Sequence, residues 1–101
     1  MIISSQKYLD DAIVDQKLAA GDFLVTLSPE FEVDGETYQT IIDGHHSLAA
    51  ARLAGVSPEF ETAGTENDNL IMLDNGRVDD FLEATYIDSD WYDIEDGVPV
   101  W

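Results

Sequence analysis

Fifteen consecutive residues, Ile41-Ile42-Asp43-Gly44-His45-His46-Ser47-Leu48-Ala49-Ala50-Ala51-Arg52-Leu53-Ala54-Gly55, constrain this chain more than any other segment. They read as a buried strand end, a tight glycine turn carrying two imidazoles, and a small-residue helix stopped by Gly55. Such an order aims the first backbone N–H groups of a helix, with two histidines beside them, at one point in space. Those N–H groups lack intrahelical partners and sit at the positive end of the helix dipole, so they attract anions. Asp43 is placed to cap the helix, and Gly44 lets the backbone approach a ligand closely. Asp43, Gly44, His45, His46 and Ser47 are therefore the candidate ligand-binding residues.

The flanking sequence supplies a small α+β framework. Ser4 and Ser5 are candidate caps for a helix from about Gln6 to Ala20, stopped by Gly21. Phe23-Leu24-Val25-Thr26-Leu27 reads as a buried strand, broken by Ser28-Pro29. Phe31-Glu32-Val33 and Tyr38-Gln39-Thr40-Ile41-Ile42 flank Asp34-Gly35, a dipeptide suited to a hairpin turn. The three alanines after Leu48 would let that helix lie close against a sheet, and Val56 to Thr62 returns as a short strand. A polar loop over 63–69 precedes a short element at Leu70 to Leu73 and a turn at Asn75-Gly76. A short acidic helix follows from about Arg77 to Ala84. The end, from Trp91 to Trp101, reads as a hairpin turning at Asp96-Gly97, with Pro99 confined to an edge. The expected architecture is one domain, residues 1–101, with a small mixed sheet and packed helices.

Composition allows a core, because 45% of the residues are hydrophobic. Cysteine is absent, which removes disulfides and thiol chemistry. No basic leader and no membrane-length apolar run is present, so a soluble cytoplasmic protein without membrane association is expected. Charge is more restrictive. Twenty-two acidic residues face only Lys7, Lys17, Arg52 and Arg77, a formal net of −18. Direct nucleic-acid binding needs clustered cations and is disfavoured. Such acidity fits solvated faces, a basic protein partner, a divalent cation, or a high-salt cytoplasm.

From about Leu24 to Phe60 the order of elements resembles the ParB-like/sulfiredoxin-like superfamily. A strand and proline come first, then a hairpin with Asp-Gly, a strand into Asp43-Gly44-His45-His46, and an alanine-rich helix ending Ala54-Gly55. Short phage and prophage proteins share this Asp-Gly-His-His form, and the tail from Tyr86 to Trp101 is similar to theirs. The resemblance implies a nucleotide as ligand, its phosphates held at the turn. Sulfiredoxins use a cysteine there, where this chain has His45, so sulfinic-acid reduction is excluded. ParB proteins bind CTP with arginines after the glycine, whereas here Gly44 is followed by His45, His46 and Ser47. CTP hydrolysis of that kind is not expected. Glu66-Asn67-Asp68-Asn69-Leu70 begins like the second ParB motif but ends in leucine.

The two imidazoles suit phosphate donation, general acid/base work or metal ligation; alternatively one packs on the turn while the other is exposed. Neighbours at a helix start point about 100 degrees apart, so they rarely share a metal, and a metal site would need carboxylates such as Asp43. No metal site is assigned. The acidic second half offers a different surface. Between Glu59 and Asp96 thirteen acidic residues accompany Arg77 alone. Asp88, Asp90, Asp93 and Glu95 on extended backbone would repeat at about 6.7 Å, and Asp79, Asp80 and Glu83 share one side of a helix. Regular carboxylates of this kind can mimic a nucleic-acid backbone, or simply solvate the surface. Trp91, Tyr92 and Trp101 are expected as core or edge covers.

The function expected first is that of a small phage- or plasmid-type accessory protein binding a nucleotide or other phosphate at Asp43–Ser47. Binding rather than catalysis is expected. The alternative is an acidic inhibitor that mimics nucleic acid and binds a basic protein through Asp79, Asp80, Glu83, Asp88, Asp90, Asp93 and Glu95. A metal-dependent nuclease ranks third, because the net charge repels its substrate.

Overall fold

The computed structural model describes residues 1–64 and 68–101. The centre of the 63–69 loop and the Glu66-Asn67 start of the second motif lie outside the described residues. The chain forms a mixed α+β fold. The described residues form six strands, β1 (Ile2–Ser4), β2 (Leu24–Leu27), β3 (Phe31–Val33), β4 (Glu36–Asp43), β5 (Glu59–Thr62) and β6 (Tyr92–Asp93), and four helices. The helices are α1 (Asp11–Ala20), α2 (His45–Ala54), α3 (Asp68–Asp74) and α4 (Val78–Thr85), in the order β1-α1-β2-β3-β4-α2-β5-α3-α4-β6. The sheet runs β5-β2-β4-β1-β6, with β3 paired to β4. β1 is parallel to β4 and β5 is parallel to β2, whereas β4 is antiparallel to both β2 and β3, and β6 to β1.

The central hairpin forms where Asp34-Gly35 places it. Val33 pairs with Glu36, and both turn residues take positive φ, +52° and +83°. That double left-handed conformation matches the strand twist, and it is the reason for the Asp-Gly pair. Alternation along β4 then separates two cores. Tyr38 packs with Ile3, Phe31, Leu70 and Phe81 on one face; Ile41 packs with Val25, Leu27, Leu48 and Ile94 on the other. Ala50 and Ala51 are fully buried, so α2 lies close against the sheet as its small side chains permit.

Three expectations are corrected. The first strand was hidden in Ile2-Ile3-Ser4, and α1 starts only at Asp11, capped by Asp10, whose side chain accepts the Ala12 N–H at 2.9 Å. Ser4 and Ser5 are buried parts of the β1 segment instead of helix caps. The cap of α2 is Gly44 rather than Asp43: β4 runs through Asp43, and no side chain caps the helix. The acidic segment from Tyr86 to Trp91 is not a strand, and only Tyr92–Asp93 joins the sheet. The C-terminal hairpin does close. Tyr92 bridges Pro99 on the outer side, and the Gly97 N–H donates to the Asp93 carbonyl at 2.8 Å. Trp101 covers Tyr38 edge-on at 5.3 Å. Among the described residues, no helix is long and apolar enough to cross a membrane.

Candidate functional site

The start of α2 is fixed from beneath by glycine. Gly44 has φ +103°, and a Cβ there would lie 2.5 Å from the Leu24 carbonyl oxygen and 2.9 Å from the Val25 Cα. Only glycine fits between β2 and the helix start, so the turn presses directly on the sheet. The first intrahelical bond runs from Leu48 N–H to the Gly44 carbonyl, at 2.8 Å. The N–H groups of His45, His46 and Ser47 therefore precede the ladder, and no hydrogen bond is made to them among the described residues.

These groups open onto a concave site of about 320 Å³. All five candidate residues, Asp43, Gly44, His45, His46 and Ser47, line it, together with Lys17 and Asp22 from the end of α1 and beyond. Lys17 Nζ donates to Asp22 at 2.9 Å, and this bond, with the Leu24 N–H, holds the Asp22 carboxyl below its ordinary range. Ser47 is buried, and its hydroxyl reaches Asp22 at 3.4 Å. Asp43 is exposed at the rim.

Both histidines are partly buried and both are hydrogen-bonded, unlike the alternative in which one packs and the other is exposed. The Asp10 N–H donates to His46 Nε2 at 3.1 Å, which puts the His46 proton on Nδ1. His45 Nε2 lies 2.6 Å from Ser4 Oγ. Ser4 Oγ also accepts the Gln6 N–H at 3.0 Å. Burial pushes the His45 imidazole down to about 4, the neighbouring His46 adds to the shift, and Asp43 and Asp88 oppose it. His45 is thus neutral at neutral pH. A hydroxyl and an imidazole at this distance resemble a nucleophile and its base, yet Ser4 is only 1% exposed. The pair is an internal tie between β1 and α2. Among the described residues, no group of three or more His, Cys, Asp or Glu is arranged to hold a metal ion.

Sequence reading missed the partners: Ser4, Asp10, Lys17 and Asp22. The β-branched pair Ile2-Ile3 was the available signal for β1, and Asp10 before a helical pattern was the signal for the true cap.

The acidic residues proposed for a partner are dispersed. Asp79, Asp80 and Glu83 are exposed on α4, with Asp80 paired to Arg77 at 2.8 Å. Asp88 accepts the backbone N–H groups of Lys7 and Tyr8, at 2.8 and 3.3 Å. Asp93 accepts the Glu95 N–H at 2.9 Å. Asp90 and Glu95 are exposed. The extended array with one repeating spacing is absent from Tyr86–Trp91, because Asp88 is turned back to hold the N-terminal segment.

Comparison with family models, with characterised proteins and with solved structures returns no match.

Proposed function

We propose that the protein is a small nucleotide-binding module, of the phage- or plasmid-type accessory kind suggested by its ParB-like turn, with the phosphates at the start of α2. The observation that carries this is the row of unclaimed N–H groups on His45, His46 and Ser47, facing a site of about 320 Å³ on a turn that only glycine can make. An anion there meets the positive end of the helix and Lys17 Nζ, which also holds Asp22. The His46 imidazole, whose Nε2 accepts the Asp10 backbone N–H, keeps an N–H donor at Nδ1.

Electrostatics selects among anions. A bare phosphate would also face Asp43 at the rim, the Asp22 carboxylate and the field of a chain with formal charge −18. A ligand that adds hydroxyl or amino donors beside its phosphates turns Asp43 from a repulsive neighbour into an acceptor. A nucleotide has both. The hydroxyl beside His45 is that of the buried Ser4, and binding rather than turnover is the activity proposed.

Thermal unfolding with a panel of nucleoside triphosphates and inorganic pyrophosphate tests this, because a ligand selective for the folded state raises the melting temperature. At least one nucleotide should raise it saturably and more than pyrophosphate does. Lys17→Gln should weaken the effect without preventing folding. A flat response to every nucleotide would reject the proposal.

A further inference from the structure

Four cations serve this chain, and their placement is uneven. Lys17 pairs with Asp22 and Arg77 pairs with Asp80. Lys7 and Arg52 have no carboxylate within ion-pair distance among the described residues, although twenty-two acidic residues surround them in the sequence. Lys7 Nζ stands over the Tyr92 ring, 5.2 Å from its centroid, and Arg52 donates to the Ile94 carbonyl. Both line the same groove.

That groove, about 400 Å³, runs between α1 and α2 and shares only Gln6 and His45 with the site at the start of α2. Leu9, Val14, Leu48 and Leu53 give it an apolar lining. Val14 and Leu48 are buried beneath it, while Leu53 is 68% exposed. Its volume lies within the ordinary range of small-ligand pockets, about 300–1,000 Å³. An apolar cleft walled by the two cations that have no carboxylate partner among the described residues is complementary to a molecule with an apolar body and one negative head. Asp11, also on the wall, disfavours a ligand with several negative charges.

We propose that the α1–α2 groove is a second binding site, for an amphipathic monocarboxylate whose apolar chain lies against Leu9, Leu48 and Leu53 and whose carboxylate is met by Lys7 and Arg52. The proposal does not depend on the nucleotide site.

The test compares decanoate, decylammonium and decanol, with binding followed by titration calorimetry and by methyl and amide chemical shifts. Non-specific adsorption to a chain of net charge −18 favours the ammonium. The groove should instead bind decanoate saturably, with shifts at Val14, Ala49 and Leu53 and none at Ser47. Lys7→Gln should weaken decanoate about fivefold, the size of an exposed ion pair, and leave decanol unchanged. Leu53→Ala should weaken both. Decylammonium binding as tightly as decanoate, absence of saturable decanoate binding, or indifference of decanoate to both substitutions would overturn the proposal.

Discussion

The turn at the start of α2 and the acidic C-terminal region use polar groups in opposite ways. At the turn the backbone is wedged into place, with Gly44 against Leu24, and leaves three N–H groups unclaimed. In the C-terminal region, which the alternative reading takes as a recognition surface, several carboxylates are bonded internally. Asp88 holds Lys7 and Tyr8, Asp93 holds Glu95, Asp96 accepts the Val98 N–H and Asp80 holds Arg77. Part of that charge is thus spent inside the fold. Unspent donors on a rigid frame are a better guide to a site, because their satisfaction is left to a ligand.

The comparison breaks most readily at its glycines. Gly44 and Gly97 both have positive φ, +103° and +74°, but a Cβ on Gly97 meets nothing within 4 Å. Gly44→Ala adds a backbone clash to conformational strain and should cost at least ~3 kcal/mol, whereas Gly97→Ala should cost only ~1 kcal/mol. Denaturant unfolding of both variants measures the difference, and equal losses would show that the turn is not wedged. The steric contact also means that Gly44→Val damages folding and the site together, so it cannot serve as a probe of binding alone.

A comparable effect is expected from pH. His45 is held down to about 4 when folded, against 6.5 as its ordinary value. Between those values the unfolded chain binds the proton and the folded chain does not, so this group removes stability as pH falls from 6.5 to about 4. The full loss is roughly 3 kcal/mol, and it levels off below that window. Carboxylate protonation acts across the same range, so the measured quantity is wild type minus His45→Gln. Its slope should be positive with rising pH; a slope of zero would mean that His45 is not kept neutral by its burial beside Ser4.

Smaller effects divide the carboxylates. Asp88→Ala removes the acceptor for two backbone N–H groups and should cost about 1 kcal/mol, while Asp79→Asn and Glu83→Gln, on the exposed face of α4, should stay within about 0.5 kcal/mol. Urea unfolding of the three variants checks this ordering. If all three behave alike, Asp88 has no structural task and the contrast between the regions weakens. Salt should act more weakly still. Screening of like charges shortens from about 10 Å at 0.1 M to about 3 Å at 1 M, and the melting temperature should rise by a few degrees between low and intermediate ionic strength. A falling melting temperature would contradict net self-repulsion.

Much of the frame was legible because local chemistry specified it. Asp34-Gly35 fixed a hairpin, Gly21 and Gly55 ended helices, and the small residues of α2 announced close packing. The first ten residues were not legible in the same way. Ser4-Ser5 looks like a helix start to local rules, but pairing of Ile2-Ile3 with Gln39-Thr40 claims the segment for the sheet. Asp43 similarly satisfies the rule for a cap, yet β4 extends through it and hands the cap to Gly44. The histidine partners, Ser4 and Asp10, come from sequence positions 41 and 36 residues away, so no local pattern could pair them. The five turn residues themselves were all identifiable, because their convergence depends on consecutive backbone geometry.

The central claim is that the free N–H groups of α2 hold a nucleotide's phosphates, and an amide-resolved NMR titration with nucleoside triphosphates addresses it most directly. The expected result is saturable binding of at least one nucleotide, with the largest amide shifts at His46 and Ser47 and no comparable shifts on α4 or near Asp96-Gly97. Saturable binding with those two amides unmoved, or no binding by any nucleoside triphosphate, would contradict it.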